Sequence, residues 1–223
     1  MTKIDIKSMN LPEMIVFMEG LGEKAFRAKQ IYQWIHEKRV DSFDEMSNIS
    51  KKLKETLEEQ AYLTALKKEE VQVSKVDGTR KYLFLLEDGN VIESVLMRYK
   101  HGNSVCISSQ VGCRMGCRFC ASTLDGLVRN LTASEMLEQI YQIGKDIGER
   151  ISNVVVMGTG EPMDNFDNLL KFIELLTDEN GLNISQRNLT VSTCGIVEGI
   201  RKLAEEKHQI TLQHLHRYIQ LFL

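Results

Sequence analysis

"CISSQVGCRMGCRFCAST", residues Cys106–Thr123, holds four of the five cysteines in a chain of 223 residues. Three of them, Cys113, Cys117 and Cys120, stand at C-x3-C-x2-C spacing. An odd total and so tight a grouping do not suit a disulfide framework; in a reducing compartment such a group more often binds metal or does redox chemistry. A structural zinc site takes four protein ligands, often as two distant C-x2-C knuckles. No second knuckle exists here, and the nearest spare thiol, Cys106, lies seven residues upstream of Cys113 on a predicted strand. A [4Fe–4S] cube is also held by thiolates, usually four of them, so three would leave one iron open to an external molecule. A zinc site, or thiols with unrelated roles, are the alternatives.

Outward from this loop the pattern alternates. "SVCISS" reads as a strand before it, and a helix is expected from about Thr132, where Thr132 and Glu135 form a capping box and Ala133, Met136, Leu137, Ile140 and Ile147 keep helical spacing. "ISNVVVMG" reads as a buried strand, followed by a helix from about Asp164 that Gly181 would stop. "NLTVST" is another strand, a short helix is expected over roughly 196–205, and "QITLQHL" reads as a last strand. Such alternation implies parallel βα units, in a barrel or an open sheet.

In parallel α/β architectures ligands bind at the C-terminal ends of strands. "GTGEPMDN", Gly158–Asn165, sits at such an end; Met163 occupies the place of the third glycine of G-x-G-x-x-G, so a dinucleotide fold is unsupported. Glycine allows close backbone approach at Gly160, and Glu161 can bond a cation such as a ligand's ammonium; the plain alternative is an ordinary βα turn. "TVSTCG" ends the next strand in the same way, making Ser192 a candidate contact, while Cys194 reads as a small, partly buried side chain.

Upstream, residues 1–68 read as a helical domain with a basic, partly aromatic surface. "EKAFRAKQIYQWIHEKR" places Phe26, Ile31, Trp34 and Ile35 on one stripe, and Ser50 is a plausible N-cap for "KKLKETLEEQ". Residues 69–100 read as a β-hairpin connector, with turns at Asp77-Gly78 and Asp88-Gly89-Asn90. Residues 101–223 form the third zone, the α/β part. The net charge of −3 gives no global nucleic-acid footprint, yet Leu96–Asn130 carries five basic residues against one acid. A solvated face explains such a run equally well. No stretch reaches the about 18–20 apolar residues of a membrane helix, and the first residues lack the apolar run of a secretory signal, so a soluble, cytoplasmic protein is expected.

"CRMGCRFC", with Phe119 before the last cysteine, is the signature of radical-SAM enzymes, in which an open iron chelates S-adenosylmethionine and passes one electron into its sulfonium. Together with "FRAKQIYQWI", "VIESVLM", "GTGEPMDN" and "TVSTCGI", it makes the chain up to about residue 212 resemble the RlmN family of dual-specificity radical-SAM methyltransferases, which methylate C2 of adenine in 23S ribosomal RNA and in certain transfer RNAs. The resemblance implies a helical N-terminal RNA-binding domain and a partial (β/α) barrel of the radical-SAM type. It implies that Cys113, Cys117 and Cys120 hold a [4Fe–4S] cluster and that Gly160, Glu161 and Ser192 contact S-adenosyl-L-methionine. It makes Glu93 the proton acceptor and Cys106 the thiol that resolves a covalent protein–RNA adduct through a transient disulfide. 23S rRNA, tRNA and an electron donor such as flavodoxin are the implied partners of a monomer with no membrane contact. The sister Cfr enzymes, which methylate C8, tend to have a cysteine at the place of Val111 and to lack the proline of "GEP"; both differences favour C2.

The chain also departs from the family. The methyl-carrying cysteine of the family lies beyond position 223, and after "QITL" this chain reads "QHLHRYIQLFL" where the family carries a segment like "AISLHAP". A truncated or frame-shifted product, an incomplete barrel with an unpaired edge, and no completed methyl transfer are therefore expected. His214 and His216 alternate as a strand's residues do and could form a metal pair. A non-catalytic, metal-stabilised RNA-binding module is the reading from another class.

Overall fold

The structure, a computed structural model, describes residues 3–214. The N-terminal part is built from β1 (Ile4–Asp5), α1 (Leu11–Gly20), α2 (Ala25–His36), α3 (Lys51–Gln60) and β2 (Ala61–Tyr62), with β1 and β2 paired in parallel. Local chemistry sets the helix starts. Asn10 and Glu13 form a reciprocal capping box ahead of α1, and Ser50 accepts the Leu53 N–H at 3.3 Å ahead of α3, as its position predicts.

On α2 the buried stripe is Ala28, Ile31, Tyr32, Ile35 and His36. Phe26 is half exposed and Trp34 partly so, which corrects the stripe expected from sequence. At about 100° per residue, Phe26 falls on the side of the helix away from Ile31 and Ile35.

One sheet organises the rest. In chain order its strands are β3 (Lys67–Val73), β4 (Arg80–Leu85), β5 (Val91–Tyr99) and β6 (Gly102–Ile107), all antiparallel neighbours, then β9 (Ile151–Val156), β10 (Leu189–Thr193) and β11 (Thr211–His214). The spatial order is β11-β10-β9-β6-β5-β4-β3, with β6, β9, β10 and β11 mutually parallel. Between β6 and β9 lie β7 (Gln110–Gly112) and β8 (Leu127–Asn130), a small antiparallel ladder, and α4 (Ala133–Ile147); α5 (Phe166–Thr177) and α6 (Val197–Glu205) follow β9 and β10. The strands of residues 67–99 thus continue the parallel sheet through the β5–β6 pairing. The result is a mixed α/β fold with an incomplete parallel barrel portion. Its β11 edge is exposed at all four residues.

Alternation along the strands decides the layers. Val105, Ile107, Val154, Val156, Leu189 and Val191 face the helices and are buried, packing with Met136, Leu137, Ile140 and Phe172. Glu93, Val95, Cys106 and Val155 point to the other face, where none is fully buried. α4 takes the Thr132–Glu135 capping box its sequence predicts, and Gly148 caps its end in the left-handed region at φ 64°. α5 departs from expectation at both ends. Pro162 opens a 3-10 turn, Pro162–Asn165, before the α-helix begins, and Asp178, in extended conformation, ends it ahead of Gly181. Among the described residues no helix is long and apolar enough to cross a membrane.

Candidate functional site

The β7–β8 ladder closes the base of the cysteine loop. Gly112, at φ 71°, lies so close to the returning strand that a Cβ there would fall 2.0 Å from the Gly126 carbonyl oxygen, so only glycine fits. Cys113 N–H donates to that same carbonyl at 2.9 Å, and Cys120 N–H donates to the Cys117 carbonyl at 3.0 Å. These contacts turn Cys113, Cys117 and Cys120 onto one cavity of about 230 Å³, which Glu161, Ser192 and Cys194 also line. All five cysteines are free thiols. Burial pushes the Cys113 thiol above its ordinary value, and the neighbouring thiols and Glu161 act in the same direction.

Two strand ends form the opposite wall. The β9 end approaches β6 closely: a Cβ at Gly158 would meet the Ile107 carbonyl oxygen at 2.7 Å, and one at Gly160, whose φ is 109°, would meet Gln110 Cβ at 2.6 Å. The next residue, Glu161, is buried, and its carboxylate accepts N–H bonds from Met163 at 3.0 Å and Cys194 at 2.7 Å. It therefore ties the turn after β9 to the turn after β10, a role its sequence position does not reveal. No cation pairs with it among the described residues. Ser192, also buried, has a hydroxyl without a hydrogen-bond partner among the described residues.

These features test which ligand fits. A buried hydroxyl with no partner carries a desolvation cost of about 1–3 kcal/mol unless a ligand satisfies it. A buried carboxylate without a counter-cation suits an ammonium. The thiols share a cavity, yet no group of three His, Cys, Asp or Glu side chains among the described residues converges as a single-ion site would. Three thiolates suit an iron–sulfur cube, in which each binds its own iron, better than a structural zinc ion, which takes four protein ligands. The residues present fit an iron–sulfur cube beside an amino-acid-like ligand.

Other residues singled out in the sequence lie elsewhere. Glu93 and Cys106 do not line this cavity. They share the open face of the sheet, where Val95 pairs with Cys106 and Glu93 is the next residue on that face of β5. Glu93 forms an ion pair with Lys81 at 2.6 Å, and burial pushes the Cys106 thiol up, opposed by a backbone hydrogen bond at Met157. His214 sits over Gly195 on β11, whereas His216 lies outside the described residues, and no described metal-capable group contains His214. The basic run is largely compensated. Arg98 pairs with Glu149, Arg114 with Asp164, and Arg129 with both Asp88 and Glu135, leaving Lys100 and Arg118 as its cations without an ion pair among the described residues.

Sequence reasoning passed over Gln110, Asn130 and Asp164. Gln110 is fully buried and bonds Glu161, Asn130 and Asp164. No spacing rule flags an amide, and its presence inside the quoted cysteine stretch was the one available signal.

Comparison with known proteins agrees with this geometry. Residues 4–63 match the family described as "Ribosomal RNA large subunit methyltransferase N-terminal domain", and residues 107–220 match "Radical SAM superfamily". Curated proteins described as "Probable dual-specificity RNA methyltransferase RlmN" are similar: that of Lachnospira eligens is 67% identical over 93% of this chain and 59% of its own length. Those of Lachnoclostridium phytofermentans and Clostridium novyi are 62% and 56% identical over 94% and 93% of this chain. The crystal structure of a radical SAM methyltransferase from Sphaerobacter thermophilus superposes with a TM-score of 0.87 at 37% identity, covering 94% of this chain and 62% of that one. The chain spans about 60% of the length of the curated relatives it matches. With its thiol loop, its strand-end turns and just over half its residues all matching one description, the chain belongs to the radical SAM superfamily.

Proposed function

We propose that this chain carries the cluster-binding and S-adenosylmethionine-binding portion of an RNA methyltransferase that modifies C2 of adenosine in 23S rRNA and tRNA. One observation carries the reading: three thiols at C-x3-C-x2-C spacing share a cavity with a buried carboxylate and a buried hydroxyl that, among the described residues, have no counter-cation and no hydrogen-bond partner respectively. Cys113, Cys117 and Cys120 would hold a [4Fe–4S] cluster; Gly160, Glu161 and Ser192 would hold S-adenosylmethionine. When bound, that pair supplies one-electron cleavage of a sulfonium, which opens the unactivated C–H bond of an electron-poor ring to substitution.

The protein's own residues bind and orient. Gly160 lets the backbone approach the ligand, Glu161 faces its ammonium, and Ser192 gives it a hydroxyl partner. On the open sheet face Glu93 is the proton acceptor, with Lys81 beside it, and Cys106 is the nucleophile that resolves the covalent adduct. Cys106 attacks as thiolate, so its burial must be relieved or offset when substrate seats. The methyl-carrying cysteine of the family has no counterpart among these 223 residues, whose part in the reaction is to bind the cofactors. Residues 1–68 serve RNA binding, 69–100 connect, and 101–223 supply the radical-SAM core. The protein works in the cytoplasm as a monomer served by an electron donor of the flavodoxin type.

Anaerobic reconstitution with iron and sulfide tests this. The expected outcome is a brown protein with stoichiometric sulfide that cleaves S-adenosylmethionine on reduction, and Cys117→Ala abolishes both. Zinc uptake without cleavage would defeat the reading.

A further inference from the structure

We propose that Gln110 is a positioning residue that couples the ligand-holding turn at Gly160–Glu161 to the cysteine loop, acting through Asp164 and Arg114. The proposal rests on the cluster and S-adenosylmethionine reading of the cavity. Gln110 has no exposed surface, and both ends of its amide are used. Oε1 accepts the Glu161 N–H at 2.8 Å, while Nε2 donates to Asn130 Oδ1 at 2.7 Å and to Asp164 Oδ2 at 3.1 Å.

Asp164 passes the connection on, because its second oxygen accepts from the Arg114 guanidinium. Arg114 follows Cys113 directly and precedes Cys117, and Asn130 is the last residue of β8, the strand that returns from the loop. In the other direction Glu161 bonds the Cys194 N–H, two residues beyond Ser192. A single amide therefore joins the turn after β9, the return strand and the loop between two thiols. The space allows little slack, since a Cβ on Gly160 would lie 2.6 Å from Gln110 Cβ.

The contact needs an amide in particular. The Glu161 N–H requires an acceptor and the Asp164 carboxylate requires a donor, and a glutamine side chain presents one of each. Gln110→Glu keeps the shape and the acceptor but sets a carboxylate oxygen against Asp164 and against Asn130 Oδ1. Asp164→Asn, added to that change, returns a donor to the contact and still leaves an oxygen for Arg114. The polarity of the link is reversed while its geometry is kept, so recovery in the double variant reports the link itself.

Four reconstituted proteins close the cycle: wild type, Gln110→Glu, Asp164→Asn and the double variant. S-adenosylmethionine affinity is measured by equilibrium dialysis, the reduced cluster's paramagnetic resonance spectrum is recorded before and after the ligand is added, and melting is followed as a control. Gln110→Glu is expected to weaken binding about tenfold or more and to blunt the spectral change, as loss of a buried hydrogen bond to a charged group does. The double variant is expected to return to within about threefold of wild type.

Wild-type affinity and spectral response in Gln110→Glu would overturn the coupling, as would a loss that the double variant does not recover. If Gln110→Glu fails to fold, Arg114→Met, at a side chain 64% exposed, breaks the loop end alone. It should leave melting unchanged and still blunt the spectral response; an unaltered response removes the link. A wild-type protein that takes up no cluster would bring down the cofactor reading, and the coupling with it. A responsive wild type with equally responsive variants would bring down the coupling alone.

Discussion

Lys7→Met should be among the most destabilising single changes outside the hydrophobic core. Lys7 Nζ bonds Glu138 Oε1 at 2.5 Å and the Thr64 carbonyl oxygen at 2.6 Å, and neither charged side chain has any exposed surface. The pair fastens the turn after β1 to α4, the helix that backs the parallel strands. Gln142 gives Glu138 one further donor, at 3.0 Å. Removing the ammonium strands a buried carboxylate, a change worth about 3–5 kcal/mol of destabilisation. Removing both charges is far milder, because an apolar pair of similar volume avoids the desolvation that the ion pair must overcome. Urea unfolding of wild type, Lys7→Met, Glu138→Leu and the double variant forms the test. Each single change is expected to lose about 3 kcal/mol or more, and the double variant to regain at least half of the larger loss. Single losses below about 1 kcal/mol, or a double variant as weak as the sum of its parts, would refute the assignment of this pair as a buried, mutually dependent junction.

Four further outcomes follow from the geometry. His36 is fully buried, donates to or accepts from Tyr141 at 2.8 Å, and has a pKa lowered to about 3 by burial first and by Lys7 second. The folded state keeps it neutral while the unfolded chain binds a proton, so its contribution is complete above about pH 6.5 and is lost as pH falls towards 3; wild type should lose stability over that window more steeply than His36→Gln, by up to about 1.4 kcal/mol per pH unit in urea titrations. Ser192→Ala should leave the apo chain as stable or raise its stability by about 1 kcal/mol, since it removes an unsatisfied hydroxyl, while weakening S-adenosylmethionine binding in calorimetry. Cys106 should alkylate more slowly with iodoacetamide at pH 7.5 than in urea, by at least about tenfold in peptide mass mapping, because burial opposes its thiolate. Gly160→Ala should cost about 2 kcal/mol or more in thermal unfolding, as it forces a Cβ both into Gln110 and into φ 109°.

The sequence by itself determined what depends on near neighbours in the chain. The Thr132–Glu135 capping box starts α4, and the glycines at 78 and 89, with φ of 72° and 83°, make the two hairpin turns. The alternation of β9 and β10 with α5 and α6 follows from short apolar runs and helical periodicity, and the cysteine spacing is itself a local pattern. Each is a property of about ten residues or fewer, so the chain writes it out directly.

Tertiary structure alone decided which groups meet and which are left over. Glu161 reads as a ligand contact in sequence, yet its carboxylate also bonds the N–H of Cys194, 33 residues away. Gln110 gains its role from Glu161 and Asp164, and Ser192, a candidate from its strand end, is shown by the fold to be buried with a hydroxyl that has no partner among the described residues. Glu93 and Cys106 come to one face of the sheet through the β5–β6 register, which no local pattern encodes. Phe26 has the right residue type for a core and the wrong angular position for this one. Local propensity selects the elements, whereas register and burial are settled by contacts distant in sequence, and the site lies where those distant contacts converge.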